Sequence, residues 1–270
     1  MKTKIYTILA MMALTLSIMN AHAQVNTQKE FVNFYESLYG TTTDNRGAND
    51  ALFYTTGTNA NDYAVPALTN TGFNVTIATD YTDFNTKLAS GNYALGVVFN
   101  NGGCCFLGLD LQTTQNFIAN GGCMIFCDWE LTQSFAALFE ASFTGNGNIT
   151  PMTITDPALA AGITNPVAIL NTAWGTWSTA LAPAGNGEVL ATFPDGSAAI
   201  VRGNNAHTML LGYLSDTPPD ADRQKLLENV IKATTCGGYN PSVVPVSNWA
   251  IALGIFLIAS FAVIRFFKWR

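Results

Sequence analysis

The chain has 270 residues, a net charge of −6 and a charged fraction of only 11%, while apolar types make up 49%. Its body holds no cluster of Lys and Arg, which argues against nucleic acid as a partner. Two histidines, one of them in the leader, exclude a His-rich metal site, the cysteines include no Cys-x-x-Cys pair, and no cofactor motif stands out.

At the N-terminus, Lys2 and Lys4 precede an apolar run from Ile5 to Met19 and then Ala21, His22 and Ala23. This order predicts a secretory signal over residues 1–23, cleaved before Gln24. An N-terminal membrane anchor is the alternative, disfavoured because the run is short and ends in a small-x-small site. Residues 24–48 form a helical extension in which Phe31, Phe34, Tyr35 and Leu38 share one face.

From residue 49 short apolar runs alternate with helical patterns, as in a mostly parallel sheet covered by helices. Strands are expected at 51–55, 73–78, 93–99 and 123–127, each nearly all apolar as burial on both faces requires. The helices between and after them fall at 62–70, 83–89, 111–120 and 131–139. After Gly145 the composition turns to Thr, Pro, Gly and Asn, and alternating strands at 187–193, 198–201 and 208–214 suggest an antiparallel edge. A last helix covers 220–233: Pro218 and Pro219 stop the strand, Asp220 and Asp222 suit a helix start, and Leu226, Leu227, Val230 and Ile231 form one apolar face. One α/β domain over 49–236 follows.

The segment 237–243 reads as a linker, and Val244-Pro245-Val246-Ser247-Asn248-Trp249 stands just beyond it. Residues 249–264 carry no charge and, with Phe266 and Phe267, approach the roughly twenty residues of a membrane-spanning helix. Arg265, Lys268 and Arg270 then hold the tip in the cytoplasm, so the body lies outside the inner membrane. This tail, through Pro245, Ser247 and Trp249, resembles the PEP-CTERM and IPTL-CTERM sorting tails. The resemblance covers 244–270 and implies an exosortase-like transpeptidase that cuts near the proline and passes the body to the cell surface. The motif departs from both named forms, and an uncleaved single-span anchor is the other reading.

The body resembles the class I glutamine amidotransferase-like superfamily, in particular its ThuA-like branch. The likeness is carried by Asp50-Ala51-Leu52-Phe53-Tyr54, Gly72-Phe73-Asn74-Val75, and the segments 91–98, 117–126 and 155–163. It implies a flavodoxin-like three-layer α/β sandwich with a mostly parallel sheet. It also sets Cys127 near the family's nucleophile position, at the turn from the fourth strand into its helix, where a Cys is the candidate catalytic residue.

Ile125 and Trp129 occupy the places where a tight nucleophile turn wants glycine, and His207, the sole candidate base, begins its strand and so falls on the opposite rim. A Cys-His pair is therefore not expected. Cys127 reads instead as a buried thiol or a disulfide partner of Cys104 or Cys105. With Cys123 and Cys236 these make five cysteines, an odd number in an oxidising compartment.

The carboxyl ends of the strands would gather Thr56, Gly57, Asn59, Asn100, Asn101, Gly102, Gly103, Asp128, Trp129, Glu130 and Asp216. Of these, Asn100, Asn101, Asp128, Trp129, Glu130 and Asp216 are the candidate binding residues: a ring to stack on a sugar, with acids and amides to bond its hydroxyls. In the alternative reading the Asn-Gly loops merely turn the chain, Asp128 caps the next helix, and Trp174 and Trp177 are packing residues. Three functions remain. The leading one is a non-catalytic, envelope-attached domain that binds or assembles at the envelope, with a polysaccharide or other envelope polymer as the partner. The others are a hydrolase acting on carbohydrate or amide bonds through Cys127 or Asp128 and Glu130, and a disulfide-stapled structural domain without a ligand.

Overall fold

The computed structural model describes residues 47–57, 60–102, 108–171 and 175–236. The leader, the extension up to residue 46, the linker, the sorting tail and the residues Asn59, Gly103, Cys104, Cys105 and Trp174 lie outside the described residues, while Gly47 and Ala48 of the extension belong to the first strand.

Runs of buried apolar residues build the first half. Strands β1 (Gly47–Thr55), β2 (Asn74–Ile77), β3 (Tyr93–Asn100) and β4 (Cys123–Asp128) alternate with helices α1 (Asn61–Asn70), α2 (Tyr81–Ala89) and α3 (Leu111–Ala119). Helix α4 (Gln133–Leu138) then leads into β5 (Ala141–Gly147), β6 (Thr153–Ile154), β7 (Ser178–Pro183), β8 (Glu188–Thr192), β9 (Ala198–Gly203) and β10 (Thr208–Leu211), and α5 (Asp220–Ala233) closes the domain. Among the described residues no helix is long and apolar enough to cross a membrane.

The sheet runs β2-β1-β3-β4-β10-β9-β7-β5, with β8 beside β9 and β6 beside β8. Its first five strands are parallel, in the order of a doubly wound sheet that reverses direction between β1 and β3. The other five are antiparallel. Helices α1 and α5 cover one face, where Leu68, Leu227 and Ile231 join the cluster of Phe53, Val97 and Ile125. Helices α2, α3 and α4 cover the other, with Phe84, Phe117 and Phe135 against Leu52, Val98 and Phe126. This is an α/β/α arrangement.

Two features differ from the sequence expectation. Strand β10 pairs parallel with β4 and only its other edge is antiparallel, so it completes the parallel half rather than starting the edge. The antiparallel part is also larger, because β5 and β7 were not expected. Their Ala, Gly, Asn and Pro residues carry little β-propensity, and pairing with each other and with β9 supplies what local preference lacks.

A disulfide joins Cys123 at the start of β4 to Cys236 just after α5, across 113 residues, with Cα atoms 5.5 Å apart. Next to it Thr235 N–H donates to the Ala206 carbonyl at 2.9 Å, and Met124 N–H to the His207 carbonyl at 2.9 Å. The end of the domain is thereby fastened to the amino end of the central strand.

Candidate binding site at the carboxyl rim

Side-chain caps shape the loops at the carboxyl end of the parallel strands. Asp80 accepts from Asp83 N–H at the start of α2, Asp110 from Thr113 N–H at α3, and Thr132 from Phe135 N–H at α4. Thr132, not Asp128, therefore caps the helix that follows β4. Asp128 is released for another role.

Asp128 is the last residue of β4 and is only 2% exposed. Its Oδ1 accepts from Asn100 Nδ2 at 2.6 Å and from Glu130 N–H at 2.9 Å. Asn100 is held in turn by Thr56, whose hydroxyl donates to Asn100 Oδ1 at 2.9 Å, and Asn100 O accepts Trp129 N–H. The second carboxylate oxygen, Oδ2, is buried and has no hydrogen-bond partner among the described residues. Burial pushes this carboxyl up from 3.8 to about 6, and the charge of Glu130 adds to the rise against the two hydrogen bonds. The Tyr81 hydroxyl is raised by burial first, and then by Tyr54 and by the charge of Asp128.

Trp129 is half-buried and meets Trp177 edge to face, with ring centroids 5.9 Å apart at 63°. Both indole nitrogens are buried without a hydrogen-bond partner among the described residues. Buried indole N–H groups usually find an acceptor. Trp177, expected as a packing residue, thus shares the rim with the residue singled out for binding. The contact was hidden because a Trp in such a stretch carries no local signal of its partner.

Asn101 and Cys127 belong to a second, closed network. Asn101 Nδ2 donates to Ser215 Oγ at 2.8 Å, and Ser215 N–H donates back to Asn101 Oδ1 at 3.1 Å. The Tyr63 hydroxyl shares a 2.6 Å bond with Ser215 Oγ, and the Cys127 thiol donates to Asn101 Oδ1 at 3.5 Å. Neither Tyr63 nor Ser215 was a sequence candidate, since Tyr63 lies 152 positions away and looks like an ordinary apolar helix residue. Asp216 stands at the edge, where its Oδ2 accepts from Asn171 Nδ2 at 3.0 Å and its carbonyl accepts from Arg223 at 2.8 Å. A cavity of about 10 Å³ beyond Tyr63, Ser215 and Arg223 has room for one water and no more.

Cys127 lies within β4 as its penultimate residue rather than in the turn after it, and it is a free, fully buried cysteine. Its backbone is not among those with positive φ, so it occupies no strained elbow. Burial raises the thiol pKa, which disfavours the thiolate that a nucleophile needs. Met124 N–H bonds the His207 carbonyl, so His207 sits beside the beginning of β4 while Cys127 sits near its end. Cys127 forms no disulfide, and among the described residues the pair that closes is Cys123 with Cys236. The described residues contain no group of three or more His, Cys, Asp or Glu able to hold a metal ion.

No family model and no curated protein matches the chain. Among solved structures it is similar to a Thermoplasma acidophilum protein named for one of the subunits of GMP synthase, with TM-score 0.45 and 11% identity over 68% of this chain and 93% of that one. It is similar to a glutamine amidotransferase of Thermotoga maritima, with TM-score 0.40 and 8% identity over 68% and 96%. A β-galactosidase from the psychrophilic Marinomonas ef1 gives TM-score 0.37 and 10% identity over 68% of this chain and 28% of that one.

Proposed function

We propose that this chain is an exported bacterial protein whose α/β domain binds a polar envelope polymer at the carboxyl rim, and that it serves as a binding module rather than a cysteine hydrolase. The observation that carries this reading is the set of three buried polar atoms without hydrogen-bond partners among the described residues at that rim: Asp128 Oδ2, Trp129 Nε1 and Trp177 Nε1. Left unmade, such bonds cost about 1–3 kcal/mol each. A polyhydroxylated ligand supplies donors and acceptors together, and its ring faces stack on indole.

The body is a divergent member of the class I amidotransferase-like superfamily in its ThuA-like branch, a reading supported by the segments at 50–54, 72–75, 91–98, 117–126 and 155–163. Export agrees with the leader, and the Cys123–Cys236 disulfide suits an oxidising compartment. In this reading the tail around Pro245, Ser247 and Trp249 holds the body at the inner membrane until an exosortase-like transpeptidase transfers it to the surface.

The experiment is a titration of the purified full-length chain, in detergent, with polysaccharide from the producing envelope, followed by tryptophan emission. The reading expects a saturable change in the wild type and its loss in Trp129→Ala. An unchanged emission, or equal binding by Trp129→Ala, overturns it. Export is checked by sequencing the mature N-terminus, which should begin at Gln24.

A second reading has one specific observation behind it. A carboxyl held at about 6 beside Glu130 is suited to a general acid, as in carbohydrate hydrolysis. Release of reducing ends from the bound polysaccharide, abolished by Asp128→Asn, would replace the binding reading by this one.

A further inference from the structure

We propose that the Asp128 end of the rim is a site for an organic ammonium group, so that the bound polymer is an amino-sugar chain carrying unsubstituted amines. The inference rests on the rim-binding reading and names the ligand class of that site.

A carboxylate buried to this degree ordinarily has a cation within reach, because an unpaired buried charge is costly. The described cations for which contacts are known are engaged elsewhere. Lys87 pairs with Asp83, Arg202 with Glu188, Arg223 with Asp220 and the Tyr63 ring, and Lys225 with Glu228. His207 is on the opposite rim. None of the charges that move the titration of Asp128 is positive, and the neighbouring Glu130 is negative. With its pKa near 6, Asp128 is ionised at pH 7, and among the described residues its charge is met only by the amide of Asn100 and the Glu130 N–H.

Aromatic residues are concentrated at this end of the sheet. Trp129 follows Asp128 directly and Trp177 closes on it. Tyr54 and Tyr81, with ring centroids 4.5 Å apart, pack against the same core cluster as Phe126, two residues before Asp128. Aromatic faces beside a carboxylate attract alkylammonium groups. Two indole N–H donors alongside want oxygen acceptors, which a sugar ring provides and a simple alkylamine does not. Over residues 47–236 the chain has fifteen Asp and Glu against five Lys and Arg, so its field draws in a polycation and repels an anionic polymer.

The test uses the full-length chain at pH 7 with two probes, the β-1,4-linked trimer of glucosamine and its fully N-acetylated counterpart. Binding is read by tryptophan emission and by calorimetry. The wild type is expected to bind the glucosamine trimer at least about tenfold more tightly, and Asp128→Asn to lose that preference. Asp50→Asn removes the same unit of charge at the amino end of β1 and should keep it, which separates a local contact from general attraction. Equal affinity for the two trimers, a preference that survives in Asp128→Asn, or no binding of either trimer overturns the inference. The rim reading is judged separately, by the envelope-polysaccharide titration with Trp129→Ala.

Discussion

Replacing Asp128 by Asn deletes a charge without deleting a hydrogen bond. Both donors that reach the side chain, Asn100 Nδ2 and Glu130 N–H, converge on Oδ1, which an asparagine oxygen reproduces, while the amide nitrogen takes the place of the partnerless Oδ2. The rise from 3.8 to about 6 means that the folded chain holds this proton about two pH units longer than the unfolded chain. At about 1.4 kcal/mol per unit, the ionised carboxylate costs the fold about 3 kcal/mol above pH 6. The direction follows from proton binding: between pH 4 and pH 6 the folded state is protonated and the unfolded state is not, so the penalty fades as pH falls and is gone below 4. Among the facing groups, Tyr81 and Cys127 stay neutral throughout this window because their pKa values are raised, leaving Glu130 as the other carboxyl. Urea denaturation at pH 7, 6, 5 and 4 should therefore find Asp128→Asn more stable than wild type by about 2–3 kcal/mol at pH 7, with the gap closing toward pH 4. A variant less stable at pH 7, or a gap that does not depend on pH, would refute the reasoning. A stabilising substitution at a rim residue is what a site retained for binding predicts.

Reducing the Cys123–Cys236 disulfide, which spans 113 residues, should lower stability by about 4 kcal/mol in denaturant titrations with and without dithiothreitol. Cys127 should resist iodoacetamide in the native chain and react on unfolding, as mass spectrometry of labelled peptides will show, because it is fully buried and its thiolate is disfavoured. Ser215→Ala should cost about 1–3 kcal/mol by leaving Asn101 Nδ2 and the Tyr63 hydroxyl without their shared partner, read as a fall in the urea midpoint. Glucosamine-trimer affinity should weaken as pH drops from 7 to 5, since an ammonium pairs only with ionised Asp128; calorimetry at the two pH values checks it.

The parallel half of the sheet was legible because strands buried on both faces must be continuously apolar, and the segments around Leu52, Val97 and Ile125 have no other reading. Helix α5 was legible to the residue, bounded by Pro219 and by the last of its apolar positions. Strands β5 and β7 were not, since the pairing that makes them strands lies in a partner about 35 residues away rather than in their own composition. At the site, Asn100 and Asp128 could be placed at strand ends by counting. What counting cannot supply is the side-chain partner: Trp177 beside Trp129, Ser215 between Tyr63 and Asn101, Cys236 on Cys123. Cys127 was read as a buried thiol or a disulfide partner, and it is the buried thiol, because β4 runs one residue further than expected and keeps it in the core.

The most direct test of the account is hydrogen–deuterium exchange of the full-length chain with and without envelope polysaccharide. The account predicts slowed exchange confined to the carboxyl rim, at residues 100–102, 128–131 and 177–179. Protection centred instead on the opposite rim, around residues 204–207 and Cys236, or no protection anywhere at saturating polysaccharide, would contradict it.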